Sequence, residues 1–139
     1  MKVSEHISLS EYSCHCCGKL PASWNQSCGP DVYGQFFLDF EEIRSEWGNP
    51  IIIDSGYRCP EHNKAVGGEA LSVHMWGLAL DCRPEDRKDL ARFYQVILDT
   101  RPELRLGYYA KNGFVHLDCS YNIEPIVVKA WREGARWNG

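Results

Sequence analysis

A chain of 139 residues fits one domain, long enough to bury about two-thirds of its unfolded surface in a single core. Its formal charge of −4, with no lysine or arginine block, argues against a nucleic-acid footprint, because phosphates are met by clustered positive charge. No apolar run approaches about 18 residues, so nothing reads as a membrane span.

The opening Met1-Lys2-Val3-Ser4-Glu5-His6 lacks the apolar stretch of a secretory signal. The chain as given is therefore expected to be a cytoplasmic monomer that meets anything outside the cell only after release or export. Ser8 and Glu11 have the Ser-x-x-Glu spacing of a capping box and predict a short turn of helix. Cys14, Cys16, Cys17 and Cys28, with His15 among them, crowd the first thirty residues. A second metal or a disulfide there would staple an arm that has little to bury, while free reduced thiols are the default for cytosolic cysteines. Residues 18–31 carry Gly18, Pro21, Gly29 and Pro30 and read as a loop in which Trp24 either packs, the commoner role for a lone tryptophan, or contacts substrate.

From Asp31, as N-cap, a helix is predicted with Val32, Phe36, Phe40, Ile43 and Trp47 on one face and Gly48 as its stop. Ile51-Ile52-Ile53-Asp54 reads as a buried strand leading to Arg58, followed by a short helix around residues 61–66. Arg58 thus leaves the end of a rigid element, and a pair with Asp54 is its alternative reading. A second helix is expected from Pro84 to about Leu98, with Leu90, Phe93, Tyr94, Ile97 and Leu98 as its apolar stripe. Residues 104–109 and 114–119 should form a hairpin across Lys111-Asn112-Gly113. The organisation expected is an arm (1–30), a core (31–119) and a closing segment (120–139) whose last few residues are disordered. The fold class is α+β, a small, mainly antiparallel sheet that carries the site, with helices packed on it.

Two stretches carry chemistry. In Ser72-Val73-His74-Met75-Trp76-Gly77-Leu78-Ala79-Leu80-Asp81, Gly77 supplies a bend after which Ala79 and Asp81 share one strand face, opposite Leu78, Leu80 and Cys82. A carboxylate in so apolar a strand needs a partner or a metal. In Gly113-Phe114-Val115-His116-Leu117-Asp118-Cys119, His116 and Asp118 share a face opposite Val115, Leu117 and Cys119. His74, Asp81 and His116 together suit Zn²⁺, which in catalytic sites keeps three protein ligands and leaves a fourth position open. Cys82 and Cys119 read as small packed hydrophobes.

With the Ser55-Gly56-Tyr57-Arg58 turn, its following His62-Asn63 and Gly67-Gly68, these stretches make three ordered motifs, and the chain resembles the M15 zinc peptidases over about residues 7–118. That family includes D-alanyl-D-alanine carboxypeptidase-like enzymes and phage endolysins that cut peptidoglycan stem peptides, and it shares its fold with the hedgehog signalling domain. The resemblance implies zinc on His74, Asp81 and His116, and substrate contact by Arg58. It also implies a bacterial or phage peptidase acting on cell-wall stem peptides, as a carboxypeptidase or an L-Ala-D-Glu endopeptidase. Many relatives carry Glu, Asp or His two or three residues before the last zinc histidine, where this chain has Gly113 and Phe114. The general base is therefore open between Asp118, which alternatively orients a ligand, and the weaker candidates Glu61 and His62. A zinc-stabilised binding module without turnover is the alternative function.

Overall fold

Alternating burial along short β-branched and aliphatic runs builds one five-stranded sheet. The computed structural model describes residues 1–21, 29–123 and 129–139. The elements are β1 (Lys2–Ser4), β2 (Ile7–Ser8), α1 (Leu9–Tyr12), α2 (Gly29–Trp47), β3 (Ile51–Ser55), α3 (Pro60–Ala65), β4 (Ala79–Pro84), α4 (Leu90–Thr100), β5 (Arg105–Tyr109), β6 (Phe114–Asp118) and β7 (Arg136–Asn138). The main sheet runs β3-β4-β6-β5-β7, antiparallel except for the parallel β5–β7 pair. The mixed α+β class read from the sequence thus holds. The two-stranded β1–β2 ribbon stands apart from it.

Strand parity divides the sheet into a packed face and a working face. Leu80, Cys82, Leu106, Val115 and Leu117 are fully buried, and α4 lies against β4 and β6. Helix α2 packs on α4, with Trp47 and Phe93 edge to face at 5.2 Å. The other face carries Asp81 opposite His116, and His116 opposite Gly107. An extra residue in β3 between Ile53 and Ser55 bulges that strand where it leaves for the Arg58 turn.

The capping box is present: the Ser8 hydroxyl accepts from Glu11 N, and the Glu11 carboxylate accepts from Ser8 N. The predicted hairpin also forms, with Gly113 at φ +77°. Other boundaries move. Helix α2 begins at Gly29, so Asp31 lies within its first turn, where a carboxylate complements the helix dipole, and is not the N-cap. Pro84 does not open the second helix. It ends β4, because that strand must reach Pro84 to pair with Ile51; a 3₁₀ turn at Arg87–Asp89 follows, and α4 starts at Leu90. The last residues are not a disordered tail either, since Arg136–Asn138 form β7 and pair with residues 106–108 of β5. Trp24 and Cys28 lie outside the described residues.

Candidate metal centre

Gly77 sets the first ligand's position. At φ +75° it closes a 3₁₀ turn, Val73–Trp76, whose start is capped by the Ser72 hydroxyl accepting from His74 N. Any Cβ at Gly77 would meet the Tyr12 hydroxyl at 2.4 Å and Pro21 at 2.7 Å, so the bend doubles as the seat of the N-terminal arm. The strand that begins at Ala79 then turns Asp81 to the working face, beside His116 of β6.

These three residues converge. One ligand atom from each of His74, Asp81 and His116 lies within 4.8 Å of the others. His74 Nδ1 is 2.7 Å from Gly56 O, and a carbonyl there can only accept, so the proton sits on Nδ1 and Nε2 keeps its lone pair. Among the described residues that Nε2 is buried without a hydrogen bond, 3.2 Å from Asp81 Oδ1. His116 Nδ1 lies 3.0 Å from the same oxygen, while its Nε2 donates to Asp118 Oδ2 at 2.7 Å. Each imidazole is thus oriented through one nitrogen and offers the other. Two oriented imidazoles, one carboxylate and an orphaned buried nitrogen fit a zinc ion.

The electrostatics without a metal agree with that donor set. Burial lowers the pKa of His74, against the pull of Asp81. Burial also acts to lower His116, but hydrogen bonds to Asp118 and Asp81 outweigh it and lift its pKa to about 9. Asp81 is held well below the carboxylate range by the two imidazoles, despite its own desolvation. The proton that His116 then carries lies between Asp81 and Asp118, the second of which is also paired with Arg105.

Asp118 is buried, with both oxygens engaged. Arg105 Nε donates to Oδ1 at 2.9 Å and Nη2 to Oδ2 at 3.0 Å, and Ser120 N donates to Oδ1. Arg105 is itself fixed by the Ala130 carbonyl and lies under the Trp137 ring at 4.9 Å. Sequence reading passed over Arg105 and Trp137. Counting the hairpin outward from Asn112-Gly113 would have set Arg105 opposite Asp118, whereas nothing local announces Trp137.

A cleft of about 1150 Å³ opens above this floor, lined among others by Arg58, Glu69, Tyr109, Phe114, Arg132 and Trp137. Arg58 reaches it from the turn after β3, its backbone N donating to His74 O. Its Nε is buried without a partner among the described residues, and burial lowers its pKa against the fields of Asp81 and Tyr109. The alternative pairing with Asp54 does not form, because Asp54 accepts from Arg83 at 3.1 Å. Among the described residues, the carboxylates lining the cleft are Glu69 and Asp81; Glu61 and His62 do not line it. Cys82 and Cys119 are buried on the packed side. The family model described as Peptidase M15 matches residues 12–118, a span that holds Arg58 and all three converging residues. No curated protein sequence matches the chain significantly.

Proposed function

The chain belongs to the M15 peptidase family, a zinc-dependent group acting on peptides, and from that premise we propose that it is a metallopeptidase whose zinc is held by His74 Nε2, His116 Nδ1 and Asp81. The convergence of these three groups, with one imidazole nitrogen left buried and unpartnered, is the observation that carries the reading. Zinc held there supplies Lewis-acid polarisation of the scissile carbonyl and acidifies the attacking water.

The chain's own residues do the rest. Arg58 offers a desolvated, permanently charged donor to a substrate carboxylate or to the oxyanion that develops during attack. Asp118, anchored by Arg105, fixes the His116 ring and keeps the proton on Nε2, so its role is to orient a ligand and not to accept the proton of water. Glu69, on the cleft wall and outside the metal set, takes the role of proton acceptor in this scheme. Trp137 and Tyr109 wall the cleft, the indole N–H donating to the phenol at 2.9 Å.

The substrate we assign is the peptidoglycan stem peptide, supported by the motif resemblance and by the Arg58 guanidinium on the cleft wall, suited to a terminal or side-chain carboxylate. Mass spectrometry of purified muropeptides incubated with zinc-loaded protein, beside His116→Ala and a chelated control, tests it. Loss of a terminal alanine or a cut within the stem, absent in both controls, establishes the activity and names the bond. The second reading, a zinc-stabilised binding module, rests on Phe114, which stacks on Tyr109 at 4.6 Å in the segment where relatives carry an acid or histidine. Retention of intact muropeptides by the zinc-loaded chain, with no product, would favour it.

A further inference from the structure

The chain carries a second place where ligating side chains meet, outside the cleft. Cys14, Cys16, Cys17 and Cys59 bring their sulfurs within 4.8 Å of one another. Three come from the arm and the fourth from the turn immediately after Arg58. The sequence groups the arm cysteines with Cys28, which lies outside the described residues; among the described residues Cys59, 43 positions beyond Cys16, joins them.

The arm is shaped for this meeting. Gly18 N donates to Cys14 O at 2.7 Å and Cys14 N to Lys19 O at 3.0 Å, closing a tight loop that needs φ +69° at Gly18. This loop presents three thiols on one side. Cys16 Sγ lies 3.5 Å from Cys14 Sγ and 3.4 Å from Cys59 Sγ. Backbone donors already point at two of the sulfurs: Cys59 N to Cys14 Sγ at 3.3 Å, and His62 N to Cys59 Sγ at 3.4 Å. Four sulfurs about 2.3 Å from a tetrahedral ion stand roughly 3.8 Å apart; the two contacts of Cys16 are a few tenths of an ångström shorter, and the whole set lies within 4.8 Å. The sulfur separations also exceed the roughly 2.0 Å of a disulfide, and all four thiols are free.

We propose that Cys14, Cys16, Cys17 and Cys59 form a structural zinc site, of the closed four-thiolate kind, that fastens the N-terminal arm to the Arg58 turn. Soft thiolates in a tetrahedral set select zinc over the hard cations. The gain is positional. Tyr57 N donates to Tyr12 O at 2.7 Å, the Tyr12 hydroxyl donates to Gly77 O, and Gly56 O receives the His74 proton. An ion that pins Cys14 to Cys59 therefore holds the arm against the two turns that present Arg58 and His74.

Metal analysis and cobalt exchange of the full chain test the site. The wild type should hold two zinc ions, and Cys16→Ser/Cys17→Ser should hold one. His116→Ala, which disturbs only the cleft, should keep the thiolate ion. Cobalt(II) in place of zinc should give intense sulfur-to-metal charge-transfer absorption in the wild type and in His116→Ala, and lose it in the double serine variant. The wild-type spectrum needs no variant to fold. Absence of that absorption from metal-replete wild type overturns the site, as does a chain lighter by two hydrogens, which marks a disulfide. Because the thiolate band reports only on sulfur ligation, failure here leaves the peptidase assignment standing, and failure to cut muropeptides leaves this site standing.

Discussion

Arg105 and Asp118 form a two-pronged ion pair beneath the cleft floor, Nε to Oδ1 at 2.9 Å and Nη2 to Oδ2 at 3.0 Å, with Asp118 passing its remaining reach to His116. Asp118 is fully buried and Arg105 nearly so. Replacing Asp118 by Ala leaves a buried guanidinium uncompensated and should cost about 3–5 kcal/mol of stability. It should also weaken zinc binding by roughly 10–100-fold, since the His116 ring loses the group that orients it. Denaturant titration and a competitive zinc chelator read the two effects separately. Unchanged zinc affinity in a folded Asp118→Ala protein would remove Asp118 from the site.

Arg58 should behave in the opposite way. Among the described residues its Nε is buried without a partner, so Arg58→Met removes an unsatisfied donor and should leave the melting temperature unchanged or slightly raised. Turnover of muropeptides should fall on the order of 10²–10³-fold in kcat/KM, the loss expected for one oxyanion or carboxylate donor. A variant that melts well below wild type and cuts normally would make Arg58 a structural residue.

Glu69 is assigned the proton transfer from the attacking water. Glu69→Gln keeps shape and removes basicity, and kcat should drop roughly 10²–10⁴-fold with zinc content unchanged. The side chain is exposed, so stability should not move. Full activity in this variant would send the search for the base to another group on the cleft wall.

Gly107 lies under the C-terminal strand, and a Cβ there would come within 2.6 Å of the Trp137 ring. Gly107→Ala must push Trp137 off Arg105 and His116, which it overlies at 4.9 and 5.4 Å. About 1–3 kcal/mol of destabilisation is expected from overpacking, visible as a lower melting temperature. A Trp137→Ala background should absorb most of that loss, and additive effects of the two changes would show that β7 does not seat against Gly107.

Acid should loosen the arm from α2. Burial would raise the Glu41 pKa, but hydrogen bonds from Ser4 Oγ at 2.6 Å and His6 N at 2.9 Å hold it below its ordinary 4.5. A folded-state pKa below the unfolded value contributes stability that is fully present above about pH 4.5 and is lost as pH falls through the folded pKa. Stability curves of wild type and Glu41→Gln should therefore separate above pH 4.5 and converge below it. Parallel curves across that range would show that Glu41 has no role in the acid transition.

The local parts were legible in the chain before folding: the capping box at Ser8, the bend at Gly77, the hairpin at Asn112-Gly113, and the parity that sets Asp81 and His116 on one face. Each follows from the conformational limits of a few neighbouring residues, or from the two-residue period of a strand. Family membership was legible too, because three short motifs keep their order. Only the folded chain showed that the Gly56 carbonyl orients the His74 ring, that Trp137 returns as a strand beside β5, and that Cys59 joins the arm cysteines. These contacts span tens of residues, and no local preference specifies which distant surface a turn or tail will bury. They are fixed only when the whole core closes and each buried polar group finds its partner.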